Sequence, residues 1–396
     1  MEALEAGKPI TDCMEIDLPE TVNTLRWHAE AADKIYDQVS PSQPGVVSMI
    51  VREPIGVVGV ILPWNFPLMM AAWKLDPILA TGCCAVLKPA EQTSLSTIRL
   101  AELATEAGIP DGVINVVPGF GEVAGKAIGM HPGVDCVGLT GSTDTGRLFL
   151  KYAADSNLKR VLLECGGKNP MVVMEDVEDL DTVADHAVNS IFWNTGENCS
   201  SNSRLLVHSS RKQELLDRIL ERSHDWVVGD PMQSATRIGP LIEEAHLNKV
   251  MEHIESAKNE GATLVRGGNR VRQDSGGYFV EPTIFDNVIP DMRLAREEVF
   301  GPVLAIMTFD TPEQAITMAN NTEYGLAASV FTSSNKTAHN SARKIKAGTV
   351  SVNCYGEGDV STPFGGYKQS GFSGRDKSLA THDQYCELKT IWIDLS

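Results

Sequence analysis

Val57-Val-Gly-Val-Ile-Leu62 is an unbroken apolar run stopped by Pro63. A run of this length without polar alternation reads as a strand buried on both faces, and such strands belong to parallel sheets. The spacing predicts a helix over 68–80, and Ala85-Val-Leu-Lys88 reads as the next strand. A helix over 94–107, a strand at 113–117, a helix opening near Gly121 and a strand at 134–139 continue the alternation. Strand, helix and strand repeated in this way make βαβ units, so residues 1–160 read as a doubly wound α/β domain. The remainder alternates too. Residues 161–164 and 170–174 look extended, 180–193 helical, and further strands are expected at 204–208, 263–265, 299–309, 327–331 and 349–354. The stretch 387–394 is rich in β-formers and reads as an edge or inter-subunit strand.

Composition narrows the function. The 396 residues are enough for two domains or more, and 42% hydrophobic residues can fill their cores. The charge balance, 34 Lys+Arg against 52 Asp+Glu, gives −18 and repels phosphate backbones, which argues against nucleic acid as a partner. No apolar run approaches bilayer length, and the opening Met1-Glu-Ala-Leu-Glu lacks the basic and apolar regions of a signal peptide. A cytoplasmic protein with no membrane partner is expected. The 8 cysteines form neither a CxxC pair nor a zinc-binding spacing with His, so no metal and no disulfide framework is expected.

Candidate chemistry gathers in separated segments. In Phe192-Trp-Asn-Thr-Gly-Glu-Asn-Cys199-Ser-Ser, Gly196 breaks a helical pattern and places Cys199 in a loop or at a new helix start. A helix start would favour the nucleophilic thiolate, whereas an isolated cysteine is more often a buried inert one. Leu162-Leu-Glu164-Cys-Gly-Gly-Lys-Asn-Pro170 puts a carboxylate at a strand end before two glycines, a place for a general base or a solvated turn. Leu62-Pro-Trp64-Asn65-Phe-Pro67 stiffens a loop after a buried strand; Asn65 is either an oxyanion donor or a turn residue. Val137-Gly-Leu-Thr140-Gly141-Ser142 runs from a strand into a predicted helix, a geometry that offers N–H groups to a pyrophosphate without matching G-x-G-x-x-G. Pro118-Gly-Phe-Gly121 opens another helix, and Lys88-Pro-Ala-Glu91 supplies a cation and a carboxylate suited to ribose hydroxyls.

These segments, in this order, together with Glu297-Glu-Val-Phe-Gly-Pro-Val303 and Pro363-Phe-Gly-Gly-Tyr-Lys-Gln-Ser-Gly371, resemble the signatures of the aldehyde dehydrogenase superfamily over essentially the whole chain. The resemblance implies a Rossmann-like cofactor domain (1–39, 54–164 and 370–384), a second α/β catalytic domain (165–369) and a small β oligomerisation element (40–53 and 385–396). It makes Cys199 the nucleophile, Glu164 the general base, Asn65 an oxyanion donor and Lys74 a lysine near the active site. By the same match Lys88 and Glu91 hold the adenosine ribose, and Thr140, Gly141 and Ser142 lie near the pyrophosphate. Trp64 and Gly121 line the cofactor cleft, while Glu298 and Phe300 seat the nicotinamide. The implied activity is oxidation of an aldehyde to a carboxylate through a thiohemiacetal and a thioester on Cys199, in a homodimer or homotetramer. Glu91 favours NAD over NADP because a carboxylate bonds a free ribose 2′-OH and repels a phosphate.

Within the superfamily the tail looks most like the γ-glutamyl-γ-aminobutyraldehyde dehydrogenases of polyamine degradation. Val352-Asn-Cys-Tyr-Gly-Glu357-Gly-Asp359 places two carboxylates where they can attract an amino-aldehyde cation, or simply make a solvated acidic loop. Trp193 walls the substrate tunnel or packs in the core. The rival readings are broader, betaine or aliphatic aldehyde specificity, transfer of the thioester to CoA, or a non-catalytic relative. Three departures from the family pattern stand out: Glu197 where many relatives carry Gln, Cys165 beside the base, and a start at which family members are already under way. An N-terminal segment that packs into the cofactor domain is therefore expected to be missing.

Overall fold

The computed structural model describes residues 1–396, which divide into two compact units. One comprises Asp17–Glu164, Asp359–Phe364 and Ser373–Ser396; the other comprises Met1–Ile16, Cys165–Gly358 and Gly365–Phe372. In the first of these, parallel strands run in the order Arg160–Glu164, Cys136–Thr140, Val57–Ile61, Cys84–Lys88 and Ile114–Val116. The opening apolar run therefore lies in the middle of the sheet, with Val58 and Val60 fully buried. Gly59 is dictated by packing, since a Cβ there would run into the Ile128 side chain of helix Lys126–Met130. From Val57–Ile61 the chain winds outward through Cys84–Lys88 to Ile114–Val116, then returns to Cys136–Thr140 on the opposite side. The winding direction reverses beside Val57–Ile61, and open α/β sheets bind ligands outside the carboxyl ends of strands at such a reversal.

Helix Pro67–Ala80 starts on a proline, whose fixed φ suits the first helical turn. Helix Thr143–Ala154 follows Cys136–Thr140 directly and is capped by Ser142, whose Oγ accepts the Thr145 N–H at 3.2 Å. A separate antiparallel sheet pairs Gln38–Ser40, Val46–Pro54 and Cys386–Asp394, in register from Cys386 opposite Pro54 to Asp394 opposite Val46. Residues 387–394 are thus an edge strand, and Leu388 and Trp392 on it are exposed.

The other unit has its own mixed sheet, in the order Thr263–Arg266, Thr283–Asp286, Val303–Phe309, Arg204–His208, Pro170–Val173, Ala327–Phe331 and Thr349–Val352. Only Thr263–Arg266 runs antiparallel to its neighbour. Successive residues enter opposite apolar clusters: Val172, Leu206 and Ala305 face one, Met171, Leu205 and Ile306 the other. Helices therefore cover both faces, as in the first sheet. The strand expected at 299–309 begins only at Val303. Phe300 has φ +60° and Pro302 has no N–H to donate, so that segment cannot join the ladder. Likewise the strand expected at 349–354 ends at Val352, because Asn353 turns to φ +54°. No helix is long and apolar enough to cross a membrane.

Candidate active site

The sheet built around Val57–Ile61 brings several sequence candidates to one edge. Lys88 and Glu164 are the last residues of their strands, and Thr140 is the last of its own. Trp64 and Asn65 follow Val57–Ile61 after Leu62 and Pro63, with Asn65 buried. Thr140 pairs in register with Glu164, and the Gly141 N–H donates to the Glu164 carbonyl at 3.0 Å, tying these two strand ends together. Glu91 Oε1 accepts the Gly121 N–H at 2.7 Å and lies 3.1 Å from Lys88 Nζ. Hence Lys88, Glu91 and Gly121 form one cluster although they come from different βα connections.

That edge fits a dinucleotide. The Thr140 hydroxyl is buried without a hydrogen-bond partner in the protein, an acceptor or donor waiting for a ligand group. A Cβ on Gly121 would meet nothing, so backbone is open to a close approach there. Glu91 Oε1 is fixed by the Gly121 N–H and Lys88, which presents the carboxylate in one orientation. Helix Thr143–Ala154 presents its N-terminus just after Gly141 and Ser142.

Lys74 has a partner that sequence reasoning missed. Its Nζ lies 3.0 and 3.2 Å from the two carboxylate oxygens of Asp376, and both side chains are buried. The two residues are 302 apart in sequence, and Gly374-Arg-Asp-Lys377 carries no local signal that singles Asp376 out. Tyr385, also buried, feels the charges of both Asp376 and Glu164, and burial raises its phenol well above the usual range. Removing one member of a buried ion pair strands the other charge. Asp376→Ala is expected to cost about 3 kcal/mol of stability, read as a lower denaturant midpoint. An unchanged midpoint would mean that Lys74 is compensated elsewhere.

The nucleophile candidate lies in the other unit, ahead of strand Arg204–His208. A 3-10 turn over Trp193–Gly196 carries Asn194 and Thr195 at φ +53° and +60°, and Cys199 follows in a turn. No helix starts at Cys199, so of the two placements expected the loop is the one observed, and no helix dipole acts on the thiol. Instead its neighbours are pinned. Asn169 Nδ2 donates to the Cys199 carbonyl at 2.7 Å and to the Ser201 carbonyl at 3.0 Å. Asn198 Nδ2 donates to Tyr355 Oη at 2.8 Å, and Asn198 Oδ1 accepts the Ser200 N–H at 3.0 Å. The Ser200 hydroxyl bonds Glu357. Cys199 itself is half-buried, unlike Cys13, Cys83, Cys136 and Cys165, which are buried. Partial access with a fixed backbone is what a nucleophilic thiol requires.

Glu298 accepts the Gly167 N–H at 2.8 Å and is half-buried, and desolvation pushes its carboxyl up. Gly166 must be glycine here, since a Cβ would overlap the Glu298 carboxylate. Glu357 and Asp359, two residues apart in sequence, part company. Glu357 reaches Ser200, whereas Asp359 is exposed, belongs to the other unit and accepts the Ser361 N–H at 2.8 Å. Trp193 packs against the apolar cluster that includes Phe192 and Ile191. Cys165 is buried, and its N–H donates to the Ser370 carbonyl at 2.8 Å. Glu197 points inward and is buried, and burial raises its carboxyl well above the usual range.

Residues 1–391 match the aldehyde dehydrogenase family. The chain belongs to that family, whose members are oxidoreductases acting on aldehydes. Aminoacetaldehyde dehydrogenase of Pseudomonas aeruginosa is 59% identical over 396 residues, spanning 100% of this chain and 79% of that protein. Among solved structures, γ-glutamyl-γ-aminobutyraldehyde dehydrogenase from Burkholderia cenocepacia is 49% identical with a TM-score of 0.97, over 100% of this chain and 80% of that one. A mutant of the P. syringae indole-3-acetaldehyde dehydrogenase, in complex with NAD+ and IAA, is 50% identical with a TM-score of 0.98, over 100% and 79%.

Proposed function

We propose that this chain oxidises an amino-aldehyde to its carboxylate with NAD, with Cys199 as nucleophile. The observation that carries the substrate class is the bond between Glu357 and Ser200, which puts a carboxylate beside the residue that follows the nucleophile. An ammonium group on the substrate would complement it. Support also comes from the amino-aldehyde enzymes among the relatives.

In this reading Lys88 and Glu91 hold the adenosine ribose, Thr140, Gly141 and Ser142 the pyrophosphate, and Glu298 and Phe300 the nicotinamide end. Trp64 and Gly121 line the cleft. When bound, the dinucleotide supplies the hydride acceptor that turns a thiohemiacetal into a thioester. The protein's own groups do the rest. Cys199 adds to the carbonyl carbon, and the oxyanion is met by the Asn65 amide and the Cys199 backbone N–H. Glu164 takes a proton from water, whose oxygen attacks the thioester carbonyl and expels the Cys199 thiolate. That hydrolytic role of Glu164 argues against transfer to CoA. NAD is favoured over NADP by Glu91, with its carboxylate already fixed by Lys88 and Gly121. The exposed edge strand Cys386–Asp394 supports assembly into a homodimer or homotetramer, and the free thiol state of every cysteine supports a reducing, cytoplasmic setting.

The test compares an amino-aldehyde with propanal on the wild type and on Glu357→Gln. Loss of one charge-assisted hydrogen bond should lower kcat/KM for the amino-aldehyde about tenfold and leave propanal within a factor of about two. Equal kcat/KM for both aldehydes in the wild type would replace the amino-aldehyde assignment with a broader or aliphatic specificity.

A further inference from the structure

The Trp193–Gly196 turn and the segment Glu298–Pro302 touch through their backbones. Gly196, at φ +74°, lies so close to Gly301 and Pro302 that a Cβ would run into the Gly301 carbonyl group. Helix Glu244–Asn259 packs on the same place, where Val250 lies against Gly301. One turn nearer its start, the His246 Nε2–H donates to the Phe300 carbonyl at 2.7 Å. A carbonyl only accepts, so Nε2 is the protonated nitrogen. The same Nε2 is 3.6 Å from Glu197 Oε1, and that oxygen accepts the Ile242 N–H at 3.2 Å.

Phe300 needs such a hold. A bulky residue at φ +60° is strained and keeps that conformation only where its surroundings over-determine it. His246 fixes its carbonyl, and Glu197 flanks the imidazole from the nucleophile loop. We propose that Glu197 and His246 are a positioning pair that holds Phe300 in its strained conformation against the Cys199 loop and so couples the nicotinamide seat to the nucleophile. The inference rests on the seat assigned to Phe300 above. Burial lowers the imidazole to about 4 and raises the Glu197 carboxyl, which Lys8 pulls the other way. The pair acts by geometry, through the Ile242 and Phe300 backbone groups it bonds.

Variants of His246 and Glu197 test the pair in the full chain. Loss of the Phe300 bond in His246→Ala should raise the KM for NAD about tenfold with the aldehyde KM within a factor of about two. In the cofactor-free protein the same variant should alkylate faster at Cys199 with iodoacetamide, by about threefold, followed by peptide mapping. His246→Gln, which keeps a donor, should restore both readouts, and Glu197→Gln should differ little from wild type. Glu197→Ala combined with His246→Ala should be no worse than the more affected single variant, since both act on one element. Should His246→Ala fail to fold, His246→Leu takes its place with the same readouts. A wild-type NAD KM and alkylation rate, no rescue by Gln, or additive effects in the double variant would overturn the pair. Phe300→Leu separates the two claims. If it leaves the NAD KM unchanged, the seat assigned to Phe300 falls. If it raises that KM while His246→Ala does not, the positioning pair falls.

Discussion

Cys199→Ala is expected to lower NADH formation by on the order of 10⁴-fold or more while NAD binding survives. In the proposed mechanism this residue alone supplies the bond that holds the substrate carbon, and alanine offers no replacement. The loop should keep its shape, because its anchors are backbone and neighbouring groups. Asn169 holds the Cys199 carbonyl, and Asn198 and Ser200 are bonded to Tyr355 and Glu357. Alanine disturbs none of these. NAD affinity, measured by quenching of protein fluorescence, should therefore stay within a factor of about two, since the groups assigned to the dinucleotide are elsewhere. Wild-type turnover in this variant would remove Cys199 from the mechanism.

Glu164→Gln should separate the chemistry into its halves. Glutamine keeps the shape at the end of strand Arg160–Glu164 and cannot take a proton from water. The expected trace is a burst of NADH followed by a steady state slower by on the order of 10³-fold, the usual scale for a lost general base. The Gly141 N–H bonds the backbone carbonyl of residue 164, so this link survives the substitution. A small external nucleophile such as hydroxylamine should restore turnover by discharging the thioester. If the burst disappears together with the steady state, Glu164 acts before the thioester forms and the assignment to hydrolysis is wrong.

How much of this was legible in the sequence differs by kind of feature. Strands buried on both faces announce themselves as short apolar runs, and Arg204–His208 and Ala327–Phe331 fall where the runs predict. The ends at Lys88 and Glu164 were equally legible, because a strand that stops there puts that side chain on the sheet's edge whatever the partners are, whereas the strand expected at 134–139 runs one residue further to Thr140. Pairings across long sequence distance were not. Nothing near Asp376 points to Lys74, and nothing in Val46–Pro54 names Cys386–Asp394 as its partner. Backbone strain was hidden as well. Phe300 reads as the start of a strand, and only its φ of +60° removes it from the ladder and makes the His246 bond meaningful. Glu197 illustrates a third limit: a carboxylate beside a nucleophile is harmful or harmless depending on burial, which spacing does not report. Cys199 sits at the same boundary. Its loop was legible from Gly196, but the hydrogen bonds that pin the loop come from Asn169 and Tyr355, far away in the chain.

The central claim is that a thioester forms on Cys199 and that Glu164 directs water to it. The most direct measurement is mass spectrometry of Glu164→Gln mixed with NAD and an amino-aldehyde, quenched during the burst. The account predicts one added acyl group, located by digestion on the peptide that contains Cys199. An unmodified protein, or an acyl group carried by Cys165 or Cys354 with Cys199 free, would contradict it.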